Sequence, residues 1–215
     1  MTHNNSTPTF RTCNFARWIG TTLLLSLLSA CNVGGEEEPV QATTSAALST
    51  GAGSTMAGAT VTPASITLAA ATTCSITAFQ AAVVAEVNRR RAGAQSCGSR
   101  GAFAAASGLR WNGTLFRAAA AHAIDLVTNN FFAHTGSNGS TVSDRINAIG
   151  YSWASVGENI AAGQPTVTRV VDAWMGSDGH CANLMNPAME EFAVACVYNT
   201  ANRSNYWVME LAKPR

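Results

Sequence analysis

An α+β domain, with a small antiparallel sheet covered by helices, is the fold predicted by the second half of this 215-residue chain. Two patterns carry that prediction. Apolar residues recur at three- and four-residue steps through the middle of the chain, the period of a helix with one buried face. Beyond residue 190 the period changes to strict alternation, the mark of strands. Helices that precede the clearest strands point to a sheet with helices laid over it.

Taken in order, Thr77, Ala78, Phe79 and Gln80 have the spacing of a capping box. Ile76, Phe79, Val83 and Val87 then form an amphipathic stripe, with Gly93 as the expected stop. Arg89, Arg90 and Arg91 at its end are expected to face solvent and complement the helix dipole. A second helix starts at Asn112, a good N-cap, and runs through Leu115, Ala119, His122, Ala123 and Leu126 to Asn129 and Asn130. His122 lies on its apolar face and is read as a hydrogen-bonded core histidine. Ser143 or Asp144 is expected to cap a short helix that reaches Ile149 and stops at Gly150. Pro165 opens a further helix with Val167, Val170, Val171 and Trp174 on one face. Phe192, Val194, Cys196 and Tyr198 alternate, as do Tyr206, Val208, Glu210 and Ala212, so two strands joined by a polar 199–205 turn are expected. A third strand is expected near 156–161.

The first part of the chain reads differently. Arg11 and Arg17 precede a short apolar run rich in leucine, too short for the roughly 20 residues that a membrane span needs. A charged start and a short apolar core are the pattern of an export signal. The run ends Leu28-Ser29-Ala30-Cys31, which resembles the lipobox of bacterial lipoproteins. That resemblance implies a diacylglycerol thioether on Cys31 and cleavage before it. Several acyl chains anchor firmly where one binds reversibly. Asn32 follows the cysteine where the lipoprotein resemblance would place Asp for inner-membrane retention, so the resemblance implies the outer membrane. Residues 32–72 are rich in Gly, Ala, Ser and Thr and are read as a flexible tether. The organisation is thus a signal over 1–31, a tether over 32–72 and a domain over 73–215.

Four cysteines remain in that domain: Cys74, Cys97, Cys181 and Cys196. An even number in an exported chain implies a disulfide framework with three possible pairings. Cys74–Cys97 and Cys181–Cys196 are expected, because each closes a local loop. No CxxC occurs, so a zinc module is not indicated. Charged residues make up 12% of the chain and the formal net charge is +1. Without a basic block there is no electrostatic footprint for nucleic acid. A monomeric domain is expected.

Several short motifs follow one another in a fixed order. Phe132-Ala133-His134-Thr135-Gly136 comes first, then Asp144-Arg145-Ile146 and Gly157-Glu158-Asn159-Ile160. Ala173-Trp174-Met175, Ser177-Asp178-Gly179-His180 and Asn183-Leu184-Met185 follow, and Tyr206-Trp207-Val208-Met209-Glu210 closes the series. The ordered set resembles the bacterial, SCP-like branch of the CAP superfamily, over roughly residues 76–213. The resemblance implies an α-β-α sandwich. It also implies a cleft of two histidines and two acids, onto which His134, His180 and Glu158 map. The second acid, expected near Ser177, is missing.

Two imidazoles can hold a divalent metal or exchange protons near neutral pH, and a carboxylate beside them can orient a ring or act as a base. His134 and His180 are therefore the candidate metal ligands, with Glu158 nearby. No cofactor is required, and a divalent ion such as zinc is the candidate. Ser177 lacks the G-x-S-x-G elbow of a hydrolase nucleophile. The resemblance implies an exported, lipid-anchored module that binds a lipid, sterol or other envelope ligand without turnover. The alternative is a metal-assisted or His/Glu hydrolase acting on peptides or envelope polymers.

Overall fold

The computed structural model describes residues 68–215. The expected signal, Cys31 and most of the expected tether lie outside the described residues. The folded part reaches slightly upstream of residue 73, since Ala70–Thr72 already forms a turn of 3-10 helix and Thr72 is buried.

Helix α1 spans Phe79–Arg91 and is followed by a two-stranded ribbon of β1 (Gln95–Ser96) and β2 (Ala102–Phe103). Strand β3 (Arg110–Trp111), helix α2 (Gly113–Thr128) and helix α3 (Val142–Ala148) come next. Strand β4 (Trp153–Ala162), helices α4 (Val167–Met175) and α5 (Asp178–Met185), and strands β5 (Glu191–Asn199) and β6 (Ser204–Pro214) complete the order. The main sheet runs β3-β5-β6-β4. Its long pairs are antiparallel, as expected, but β3 joins β5 in parallel. Two residues are too few to show a strand period in a sequence, so this edge was not foreseen.

Side chains alternate across a strand, and here both faces of the sheet are covered. Phe192, Val194, Cys196, Trp207, Met209 and Leu211 pack with α1, α4 and α5. Ala193, Ala195, Val208, Ala212, Val156 and Ile160 pack with α2 and α3. The result is an α-β-α sandwich, in which the small side chains of β5 let α2 lie close to the sheet.

Asn112 caps α2 as expected, its side-chain oxygen accepting from the Thr114 and Leu115 amides at 2.8 and 3.2 Å. Other caps differ. The Thr77 capping box does not form, because Ala78 enters α1 in the left-handed region at φ 50° with no side-chain cap. Thr141, rather than Ser143 or Asp144, caps α3, and Asp144 closes the box by accepting from the Thr141 amide. Thr166, rather than Pro165, is the cap of α4.

Two larger corrections concern long-range partners. The disulfides are Cys74–Cys196 and Cys97–Cys181, with Cα separations of 5.2 and 5.4 Å. They replace the local pairs expected. Thr73 bridges to Cys196, which lays Cys74 alongside β5. Ser99, near Cys97, donates from its amide and hydroxyl to Asp178 at the start of α5. Proximity in the fold, not in the chain, selects the partners. Arg91 is also not solvent-facing. It is fully buried, and its guanidinium donates to the carbonyls of Ser107 at 2.8 Å and Asn186 at 3.0 Å, and to that of Leu184. Two of these carbonyls lie at the end of α5, where carbonyls lack intrahelical partners. Arg89 and Arg90 do sit on the surface of the helix end, paired with Glu86.

Candidate functional site

Glu158 lies in the middle of β4, with Gly157 before it and Asn159 after it. Alternation aims Glu158 at the α2/α3 layer, with Val156 and Ile160, while Asn159 turns toward α5. Glu158 is 1% exposed, and a carboxylate that deep in an apolar layer must be paired. Its Oε1 lies 2.7 Å from His134 Nδ1, and its Oε2 accepts from Arg145 Nη2 at 2.6 Å. Burial alone would raise its pKa, but the His134 hydrogen bond and the Arg145 charge outweigh that and hold it at about 2. Glu158 is therefore ionised, and His134 donates to it from Nδ1–H. In the tautomer with its proton on Nδ1, the ring carries its lone pair on Nε2, the side facing away from the acid. The His134 side chain remains 28% exposed, so a ligand can reach it.

His134 sits on the 131–135 loop between α2 and α3, and a second histidine supports that loop. His122 Nε2 lies 3.0 Å from the Ala133 carbonyl. A carbonyl only accepts, so the neutral His122 ring places its proton on Nε2. This is the core histidine expected from the helix face, 1% exposed. It also approaches Glu158 Oε2 at 3.9 Å. Burial, more than the opposing charge of Glu158, pushes the His122 pKa down.

His180 is tied to the same strand from the opposite layer. It lies in the first turn of α5, and its carbonyl accepts from Asn159 Nδ2 at 3.1 Å. Asn183 donates to the Glu158 carbonyl at 3.2 Å and to the Asn159 side chain at 2.9 Å. Residues 180 and 183 of the motif series thus fasten α5 to β4 beside Glu158. Helix α5 itself was not foreseen, because Gly179 and the short span weaken its period.

The partners of Glu158 that sequence reasoning missed are Arg145 and Glu210. Arg145 is part of the Asp144-Arg145-Ile146 motif and comes from α3. Glu210 is the register partner of Glu158 on β6 and is completely buried. Glu210 is a second acid beside Glu158, on β6 rather than near Ser177. Its signal was present in the alternation of Tyr206, Val208, Glu210 and Ala212, where an acid occupies an apolar stripe.

The donor set fits a catalytic zinc poorly. Such sites take three protein ligands, and among the described residues no three His, Cys, Asp or Glu side chains gather as a ligand set. Both Glu158 oxygens are engaged, one by a cation.

A family model, "Cysteine-rich secretory protein family" (CAP), matches residues 84–211. The chain belongs to the CAP family. It is 38% identical over 84 residues to the uncharacterized protein YkwD of Bacillus subtilis, covering 39% of this chain and 33% of that one. It is 28% identical over 101 residues to the uncharacterized membrane protein YlbC of the same organism, covering 46% and 29%. The chain therefore spans about a third of the length of these curated relatives. Among solved structures, an extracellular protein with an SCP domain from Bacillus anthracis aligns with a TM-score of 0.46 at 26% identity, over 50% of this chain and 34% of that one. An outer surface protein from Borrelia burgdorferi aligns with a TM-score of 0.47 at 27% identity, over 51% and 80%.

Proposed function

We propose that this protein is an exported, lipid-anchored CAP domain that binds an envelope ligand at His134 without turning it over. The observation that carries this reading is the engagement of both Glu158 oxygens, by His134 at 2.7 Å and Arg145 at 2.6 Å. A carboxylate held that way orients a ring, and with its pKa lowered to about 2 it is a weak base toward water. What remains for a ligand is the Nε2 lone pair of His134, which accepts a hydrogen bond from a hydroxyl or amide. Export is supported by the charged start and apolar run of the first 31 residues. The two disulfides of the domain support it too, since such bonds persist in oxidising compartments. Anchoring at Cys31, with the outer membrane favoured, rests on the Leu28–Cys31 box and on Asn32. The ligand class is a lipid, sterol or other hydroxyl-bearing envelope molecule.

The test is saturation-transfer NMR on the exported protein with palmitate, cholesterol and soluble peptidoglycan fragments, wild type beside His134→Ala. Binding to one class, weakened at least tenfold in the variant, is expected, with the ligand recovered unchanged. Equal binding by both proteins would rule out His134 as the contact.

The His134–Glu158 bond also favours a second reading. An imidazole oriented by a carboxylate is the arrangement that makes a general base. In that case His134 would take a proton from water or a hydroxyl through Nε2. Appearance of cleavage products in the same samples, lost in His134→Ala, would select it.

A further inference from the structure

His122, Asp125 and Leu126 of α2 and its C-cap Asn129 recur at three- and four-residue steps and so share one face of the helix. All of them take hold of the loop that carries His134. His122 Nε2–H donates to the Ala133 carbonyl at 3.0 Å, and its ring meets that of Phe131 at a steep angle, with centroids 6.3 Å apart. The Leu126 carbonyl accepts from the Phe131 amide at 3.1 Å. Asp125 accepts from the Ser137 amide at 2.9 Å and from its hydroxyl at 2.6 Å. Asn129 donates to Asp125 at 2.7 Å and to the Ser137 hydroxyl oxygen at 3.3 Å. The backbone is thus fastened at residue 133, just before His134, and again at residue 137. Between these points Gly136 is buried, and a Cβ on it would meet Ser140 Oγ at 2.6 Å and Asp125 Oδ2 at 3.3 Å. The loop is wrapped against α2 as closely as its smallest residue allows.

That grip matters because the ring and its acceptor belong to different parts of the fold. Glu158 is fixed by its strand and by Arg145, whereas His134 stands on the loop with its side chain 28% exposed. A free neutral imidazole in water carries its proton mainly on Nε2. His134 holds it on Nδ1 only while Glu158 Oε1 is within reach, at 2.7 Å. A shift of about 1 Å would take the pair beyond hydrogen-bonding distance. The position of the loop therefore decides which ring nitrogen is left open.

We propose that His122 and Asp125 are positioning residues, which from two points of α2 hold the 131–137 loop where His134 gives Nδ1–H to Glu158 and keeps Nε2 open. The two histidines are set in complementary tautomers. A backbone carbonyl keeps the proton of His122 on Nε2, and a carboxylate keeps that of His134 on Nδ1. The consequence for a ligand rests on the binding reading; the hold on the ring does not.

Nitrogen-15 spectra of the histidines in the full exported protein read the tautomer, from about pH 7 to 9 so that the neutral ring is sampled. Wild-type His134 is expected as the Nδ1–H form. His122→Leu and Asp125→Ala are each expected to lower that fraction by more than half. His122→Gln, whose amide still donates toward the Ala133 carbonyl, is expected to restore most of it. Thr166→Ala removes the cap of α4, away from the site, and is expected to leave the tautomer as in wild type while costing stability. Ser137→Ala, at an exposed position, serves if a core variant does not fold: losing one bond to Asp125 is expected to lower the Nδ1–H fraction by at least a quarter. An unchanged tautomer in the folded variants, or the same loss in Thr166→Ala, would overturn the proposal. No ligand enters the measurement, so a failure to bind one would count against the binding reading alone.

Discussion

Glu158 and Glu210 face each other across β4 and β6 as register partners on the same face of the sheet. They share a single buried cation, Arg145, which is 2.6 Å from the first and 4.0 Å from the second. The arrangement joins the ligand-accessible ring of His134 to the deepest part of the α2/α3 layer. It also makes the charge on this layer a property of the assembled cluster rather than of any one residue.

Replacing Glu158 by Gln is expected to destabilise the domain by about 2–3 kcal/mol at neutral pH, because the His134 and Arg145 hydrogen bonds lose their ionised acceptor. Urea unfolding of wild type and variant measures this directly. The pH dependence has a fixed sign. Because its folded pKa is lowered, at about 2, Glu158 contributes stability that is present above its unfolded value of about 4.3. That contribution is lost as pH falls from there toward 2. The gap between wild type and Glu158→Gln should therefore narrow across that acidic window, and a constant gap would contradict the pairing.

Glu210→Gln should have the opposite signature, because burial, and then the charge of Glu158, push the Glu210 carboxyl well above the usual range. A raised folded pKa makes the acid's contribution full below the unfolded value and lost as pH rises toward the folded one. The variant should gain melting temperature relative to wild type as pH is raised above about 5. Thermal melts at about pH 4, 6 and 8 would expose the trend, and a difference that does not grow with pH would count against a neutral Glu210.

Non-reducing peptide mapping should yield the pairs Cys74–Cys196 and Cys97–Cys181. Each closes a long loop, with sequence separations of 122 and 84 residues. In the chain-entropy model, crosslinks of this length restrict the unfolded chain by roughly 4–5 kcal/mol. Removing either pair by double Cys→Ala substitution should cost about 2–5 kcal/mol in denaturant unfolding.

Arg91→Met should cost about 2–4 kcal/mol, since the carbonyls of Ser107, Leu184 and Asn186 lose a charged donor in the interior. Arg89→Met, at an exposed end of the same helix, should change stability far less, because its pair with Glu86 is screened by water. Equal effects in equilibrium unfolding would remove the distinction drawn between the two arginines.

Detergent phase partitioning of the exported chain is expected to place the wild type in the detergent phase and Cys31→Ser in the aqueous phase. Identical partitioning would remove the lipid anchor from the reading.

Helices α1 to α4 with their buried faces, the Asn112 cap, strand β4 and the alternation of β5 and β6 were legible in the chain, because each depends on residues a few positions apart, whereas β1 to β3 and α5 are too short to show a period. The motif series also located His134, Glu158 and His180, and the 2.7 Å bond from His134 to Glu158 joins two of them. Tertiary structure alone decided which residues meet across the sheet. Cys74 reaches Cys196 because Thr73 bridges to β5, and Arg91 is buried because the end of α5 presents carbonyls to it. Glu210 faces Glu158 because of the register of β6 against β4. A period in the sequence tells which face a side chain takes, and here it already placed an acid on an apolar stripe. Which neighbour that acid meets is set by strand register and helix docking. These are fixed by the burial of the whole layer, not by any local run of residues.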